Sequence, residues 1–219
     1  MKNITIAIDG PAGAGKSTIA KLLAEKLNYV YIDTGAMYRA VTYLYLQSKR
    51  TFDEAYISKI AENINLKIKN IAGKNTIWVD NKDISEEIRS ASVTANVSRV
   101  AAISTVRTFL VEKQRELGKN GNVILDGRDI GTVVFPNADL KIFLTASVEI
   151  RAKRRFDELK NKDISYEELK NEIKQRDKFD SERKVSPLCK ADDAITIDSS
   201  NLDIDQVVDK IFKLVKRSL

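Results

Sequence analysis

The sequence predicts an α/β fold, a parallel sheet covered by helices on both faces. Two observations predict it. Short apolar runs rich in β-branched residues alternate with longer stretches whose apolar residues recur at helical spacing. The first of these runs ends in a glycine-rich turn that opens a helix.

Ile4-Thr5-Ile6-Ala7-Ile8 is the first strand, stopped by Asp9-Gly10-Pro11. After the glycines, Ile19, Leu22, Leu23 and Leu27 follow one helix face. Tyr29 to Ile32 reads as a second strand. Asp33-Thr34-Gly35 then offers a cap to a helix carrying Met37, Val41, Leu44 and Tyr45. A long helical stretch over Val93 to Leu117 should break near Ser104 and close at Gly118. Three further strands are expected at Val123-Ile124-Leu125, Lys141 to Leu144 and Ala194 to Ile197. Ser165 and Glu168 form a capping box ahead of another helix, and Ile204, Val207, Val208, Ile211 and Val215 give a closing one. One region departs from the alternation. Leu66 to Lys69, a turn at Ala72-Gly73-Lys74-Asn75, and Thr76 to Val79 read as a β-hairpin, with Trp78 expected in its local core.

The 219 residues suit one core domain with small appendages. The chain has 37 Lys and Arg against 31 Asp and Glu, a net +6 that fits an anionic partner. The charges alternate in sign, as in Glu167 to Lys174, which marks an exposed helix face rather than a nucleic-acid stripe. Cys189 is the only cysteine and there is no histidine. Ser-His-Asp and Cys-His catalysis and histidine metal sites are therefore excluded. No leader is expected ahead of the first strand, and no apolar run approaches the roughly 20 residues needed to span a membrane. The expectation is a cytoplasmic monomer with neither nucleic acid nor membrane as partner.

The chemistry starts at Gly10-Pro11-Ala12-Gly13-Ala14-Gly15-Lys16-Ser17, a full G-x-x-x-x-G-K-[ST] match followed by Thr18. Glycines let the backbone wrap so that its N–H groups face phosphate oxygens, and the next helix adds its positive end. Lys16 is expected on the terminal phosphates and the Ser17 hydroxyl on Mg²⁺, with ATP as the nucleotide. The loop alone does not separate kinases from other nucleotide hydrolases. A GTPase base reader, Asn-Lys-x-Asp, is missing: Asn81-Lys82-Asp83-Ile84 and Asn161-Lys162-Asp163-Ile164 put Asp one place early. Asp33 to Arg39 and Asp126-Gly127-Arg128-Asp129-Ile130-Gly131-Thr132 follow strands and land on the rim of the same sheet. Arg107, Arg151, Arg154, Arg155, Arg176, Asp180 and Arg183 are the further charged candidates.

From Ile4 to about Leu214 the chain resembles the bacterial cytidylate kinases, within the nucleoside monophosphate kinases. The carriers are Ile8 to Thr18, Asp33 to Arg39, Glu86 to Arg89, Asp126 to Pro136, and Arg176 to Arg183 with Pro187-Leu188 after it. The resemblance implies a sheet of five parallel strands, an acceptor-binding insert over 66–92 and a lid over 156–176. The core would then comprise 1–65, 93–155 and 177–219. It further implies that Arg39, Arg128 and Arg183 hold the acceptor phosphate, with Lys16, Arg128 and Arg183 nearest the chemistry. Ser98, Arg107 and Asp129 would read cytosine, Thr34 and Tyr38 would line the same pocket, and Arg176 and Asp180 would approach the ribose. Arg151 and Arg155 would meet ATP. Thr34 stands where some members carry Ser, and Phe179 where some carry Arg. The implied reaction passes the γ-phosphoryl of ATP to CMP, or dCMP. The alternatives are another monophosphate or small-alcohol acceptor, or a nucleotide-dependent switch or RNA module.

Overall fold

The computed structural model describes residues 3–71, 74–159 and 164–218. Ala72 and Gly73 of the expected turn lie outside these residues, as do Asn161, Lys162, Asp163 and with them part of the expected lid. The chain divides into two compact units, Met1–Tyr31 with Asn120–Leu219, and Ile32–Lys119.

The first unit is built on strands β1 (Thr5–Asp9), β6 (Val123–Gly127), β7 (Leu140–Thr145) and β8 (Ile195–Asp198). The five-stranded sheet has the order β2-β6-β1-β7-β8, where β2 is Val30–Asp33. β1 pairs in parallel with both β6 and β7, and β7 with β8. Strands of this kind are sandwiched by helices, so their side chains are buried on both faces. Ile6, Ile8 and Ile124 on one face, and Ala7 and Leu125 on the other, are inaccessible to solvent. Helices α1 (Lys16–Leu27) and α8 (Ile204–Ser218) supply Ile19, Leu23, Val207, Ile211 and Val215 to this core. β1 sits at the centre with β6 on one side and β7 on the other. That is the switch point whose carboxyl end receives ligands in open α/β sheets.

Helices α6 (Val148–Glu158) and α7 (Tyr166–Glu182) pack through Ala152, Leu169 and Ile173 as a satellite cluster of the same unit. The Ser165 side chain and the Glu168 backbone and carboxylate close the expected capping box at the start of α7. Along Glu167 to Lys174 only Leu169 and Ile173 are buried, as an exposed charged face requires.

The second unit holds α2 (Thr34–Gln47), α3 (Glu54–Asn63), α4 (Ala91–Ala101), α5 (Ser104–Gly118) and an antiparallel sheet β3-β4-β5. The strands are β3 (Leu66–Ile71), β4 (Lys74–Val79) and β5 (Lys82–Asp83). Asp33 caps α2 by accepting from the Ala36 N–H at 2.9 Å, as expected. The helical break falls at Ala102-Ile103, directly before Ser104, as expected. Met37, Val41, Ile57, Ile88, Val100 and Val106 form the core. Two findings differ from expectation. Residues 54–63 form a helix, capped by Asp53 on the Ala55 and Tyr56 N–H groups. Trp78 is only half-buried, because the alternation of β4 puts Ile77 and Val79 in the core and Trp78 on the other face, beneath the Lys69 ammonium.

Candidate active site

β1 delivers the chain into the glycine-rich loop at its carboxyl end. Gly10 and Gly15 adopt φ of 149° and 87°, values that side chains strain to reach. At Gly10 a Cβ would also run into the Leu144 carbonyl oxygen. At Gly15 there is open space around the absent Cβ, so conformation alone requires glycine there. Gly15 is the N-cap of α1 and offers no side chain to it, so no side chain of the cap competes for the helix's first N–H groups. Those donors and the positive end of α1 are available to an anion.

Lys16 is buried, and its ammonium donates to the Pro11 carbonyl at 2.7 Å, folding back across the loop. Burial and the positive charges of Arg128 and Arg176 lower its pKa to about 7, against the opposing pull of Asp126 and Asp9. The negative charge of an arriving polyphosphate would draw a proton from solvent back onto such a lysine. Next along α1, the Ser17 hydroxyl donates to Asp126 Oδ2 at 2.7 Å. Asp126 is buried near the end of β6, and its Oδ1 accepts from the Tyr31 hydroxyl at 2.8 Å. An apolar strand ending in an aspartate that faces the loop serine has the Walker-B form. Among the described residues no group of three or more His, Cys, Asp or Glu could hold a metal. Ser17 and Asp126 together offer two hard oxygen sites. That donor set fits Mg²⁺, which binds through one or two carboxylates, keeps several waters and takes the rest from substrate phosphates.

Asp9, buried at the end of β1, accepts from the Ile130 and Gly131 N–H groups at 2.8 and 2.7 Å. Burial raises its carboxyl to about 6, the two backbone bonds pull the other way, and nearby Asp129 raises it further. The pair of bonds ties the β6 exit to β1 and holds the residues 130–134 as a single π-type turn. Arg128 and Asp129 are thereby fixed beside the loop. Arg128 Nε donates to Asp180 Oδ2 at 3.0 Å. Arg183 Nε donates to the Ser186 carbonyl at 2.6 Å, and its Nη2 lies 3.8 Å from Asp129 Oδ1. Burial pushes the Asp180 carboxyl up, but Arg128, Arg176 and Arg183 outweigh it and hold it below the usual carboxylate range. Arg128, Asp129, Asp180 and Arg183, four of the expected site residues, therefore converge in two ion pairs, and Arg176 adds its field.

Arg151 is also buried. Its guanidinium donates to the Ala146 and Ala12 carbonyls, each at 2.9 Å, and pairs with Asp177 Oδ2 at 2.5 Å. Asp177 Oδ1 accepts from the Ala12 N–H at 3.1 Å. Arg151 and Asp177 thus grip both polar groups of one loop residue from α6 and α7. Arg155 is exposed and meets Glu158 at 3.4 Å.

The remaining candidates belong to the second unit. Thr34 is buried at the first turn of α2. Arg39, half-buried on the same helix, donates to the Ile88 carbonyl at 3.1 Å and to Thr94 Oγ1 at 2.9 Å. Arg107 is buried on α5, donates to the Ala101 carbonyl at 3.1 Å, and has its guanidinium 5.3 Å from the Tyr38 ring centroid. Ser98 is half-buried on α4. Asp33 pairs with Arg89 at 3.5 Å.

Sequence reasoning did not single out Tyr31, and took Asp9, Asp126 and Asp177 only as parts of motifs. Asp126 had a signal, the apolar run Val123-Ile124-Leu125 directly before it. Tyr31, Asp177 and Asp9 act through long-range hydrogen bonds that no local pattern announces.

The sequence model of the cytidylate kinase family matches residues 6–217. A cytidylate kinase of Bacillus velezensis is 51% identical over 219 residues, 99% of this chain and 98% of that one. One of Fusobacterium nucleatum is 50% identical over 220 residues, 99% of both. One of Caldicellulosiruptor saccharolyticus is 52% identical over 98% of this chain and 96% of its own. Among solved structures, shikimate kinase from Acinetobacter baumannii aligns at TM-score 0.50 and 16% identity, over 99% of this chain and 94% of that one. A gluconokinase from Sinorhizobium meliloti aligns at 0.50 and 14%, over 98% and 93%. Those two bear on the fold alone, that of P-loop kinases.

Proposed function

The chain belongs to the cytidylate kinase family, and on that premise we propose how its own residues move the γ-phosphoryl group of ATP to CMP. dCMP is proposed as a second acceptor. The observation that carries the assignment of roles is the double ion pair, Arg128 with Asp180 and Arg183 with Asp129, set at the rim that bears the phosphate loop.

The acceptor is itself a phosphate, largely dianionic at neutral pH with a second pKa of about 6. Its oxygen attacks the γ-phosphorus, the bond to the β–γ bridging oxygen breaks, and ADP leaves with that electron pair. No general base is required, so a chain without histidine loses nothing. Catalysis reduces to in-line positioning and neutralising charge. Gly10, Pro11, Ala12, Gly13, Ala14, Gly15 and Thr18 shape the ATP cradle, with Arg151 and Arg155 on the ATP side. Lys16 meets the transferred group. Ser17 and Asp126 would hold Mg²⁺, which would supply positive charge at the polyphosphate. Arg39, Arg128 and Arg183 take the acceptor phosphate, and Arg176 and Asp180 take the ribose. Thr34, Tyr38, Ser98, Arg107 and Asp129 are assigned to cytosine. We propose one chain as the working unit and the cytoplasm as the place of reaction, where its nucleotides are.

Cytosine presents an amino donor at N4 beside the N3 and O2 acceptors, whereas uracil presents O4 and N3–H. A carboxylate accepts from N4–H₂, and a guanidinium only donates. Asp129 with Arg107 therefore suits cytosine and opposes uracil. Each buried mismatch costs roughly 1–3 kcal/mol. The contact of Asp129 with Arg183 supports a second role, holding a phosphate-binding arginine. Asp129→Asn separates the two. Under base reading it lowers kcat/KM for CMP and narrows the CMP-to-UMP ratio. An equal fall for both acceptors would assign Asp129 to Arg183 and the phosphate instead.

A further inference from the structure

We propose that Tyr31 is a positioning residue for the metal end of the site, orienting Ser17 through Asp126. The proposal rests on the assignment of Mg²⁺ to Ser17 and Asp126 made above.

A serine hydroxyl serves a cation through its oxygen lone pairs, and where those point depends on where its proton goes. Here the proton goes to Asp126 Oδ2, at 2.7 Å, which leaves the lone pairs of Ser17 to face elsewhere. The direction of that bond is only as fixed as the carboxylate that accepts it. Asp126 lies on β6, buried, and its second oxygen takes the Tyr31 hydroxyl at 2.8 Å. Tyr31 is itself buried, with its ring packed in the core cluster that contains Ile4, Leu23 and Ile124. The ring is thus fixed by the core while its one polar atom reaches the carboxylate. A leucine or phenylalanine would satisfy the burial of β2 at this position. The hydroxyl adds nothing to that packing, and its partner is the carboxylate that holds the loop serine. Partners that orient a metal's direct ligands commonly contribute 10–100-fold to metal affinity, so roughly tenfold is the expected effect of this one.

The test compares ADP binding by calorimetry in saturating Mg²⁺ and in excess chelator, for the full-length chain and its Tyr31→Phe variant. The ratio of the two dissociation constants reads the metal end alone. In the wild-type chain ADP binds more tightly with Mg²⁺. In Tyr31→Phe that ratio shrinks about tenfold, while binding without metal stays at the wild-type value. A packing role alone would move the unfolding midpoint, or both constants together, and leave the ratio intact; that result overturns the proposal. A wild-type chain whose ADP affinity ignores Mg²⁺ overturns it at the earlier step, the metal assignment. If Tyr31→Phe does not fold, Tyr31→Leu repeats the comparison under the same criteria.

Discussion

Lys16 carries its charge in a buried site flanked by Arg128 and Arg176, which is why its pKa falls to about 7. The sign of the consequence follows. Without nucleotide, Lys16 loses its proton as pH rises through 7, and the negative charge of a bound polyphosphate restores it. At pH 8 ATP binding should therefore take up nearly one proton, and about half a proton at pH 7. Calorimetry in two buffers of different ionisation enthalpy measures this directly. Lys16→Arg, always charged, should show no such uptake, and uptake equal to wild type would put the titrating group elsewhere. Lys16→Ala should stay folded and lose about 10²–10³ in kcat, the usual loss for one preorganised charge contact. The loop lysine was legible from spacing alone. Its depressed pKa was not, because Arg128 and Arg176 reach it only through the fold.

At the scale of elements, the strands declared themselves because a sheet buried on both faces demands unbroken apolar runs, as in Val123-Ile124-Leu125. Helix α3 did not, since only Ile57 and Ala61 of its ten residues are fully buried, too thin a stripe to stand out. The turn Ile130–Val134 has no helical period in its apolar residues and is held from outside by Asp9. The grip of α6 and α7 on Ala12 was equally silent, because Arg151 and Asp177 are far apart in sequence. Removing one partner of a largely buried ion pair costs about 3 kcal/mol. Asp177→Ala should therefore lower the unfolding midpoint by roughly 6–12 °C and raise the KM for ATP. Asp177→Asn, which can still accept from Ala12, should do less of both. Unchanged midpoint and KM in Asp177→Ala would mean that the tie to Ala12 carries no weight.

For the molecule as a whole, the sequence-stated alternation of strands and helices accounts for the first unit, while the hairpin that broke the pattern belongs to the second. Leu66–Ser92 lies wholly in that second unit and carries exposed Lys67, Lys69 and Lys82. If it serves the acceptor, amide exchange across it should slow when CMP is bound. Exchange unaffected by saturating CMP would remove that segment from the account. No helix among the described residues is long and apolar enough to cross a membrane. The central claim, transfer from ATP to CMP, is tested most directly by ADP release measured with CMP, UMP, AMP, GMP and shikimate in parallel. The account predicts fast, Mg²⁺-dependent release with CMP, much slower release with UMP, and little above background with the other three. Faster release with AMP, GMP or shikimate than with CMP would contradict it.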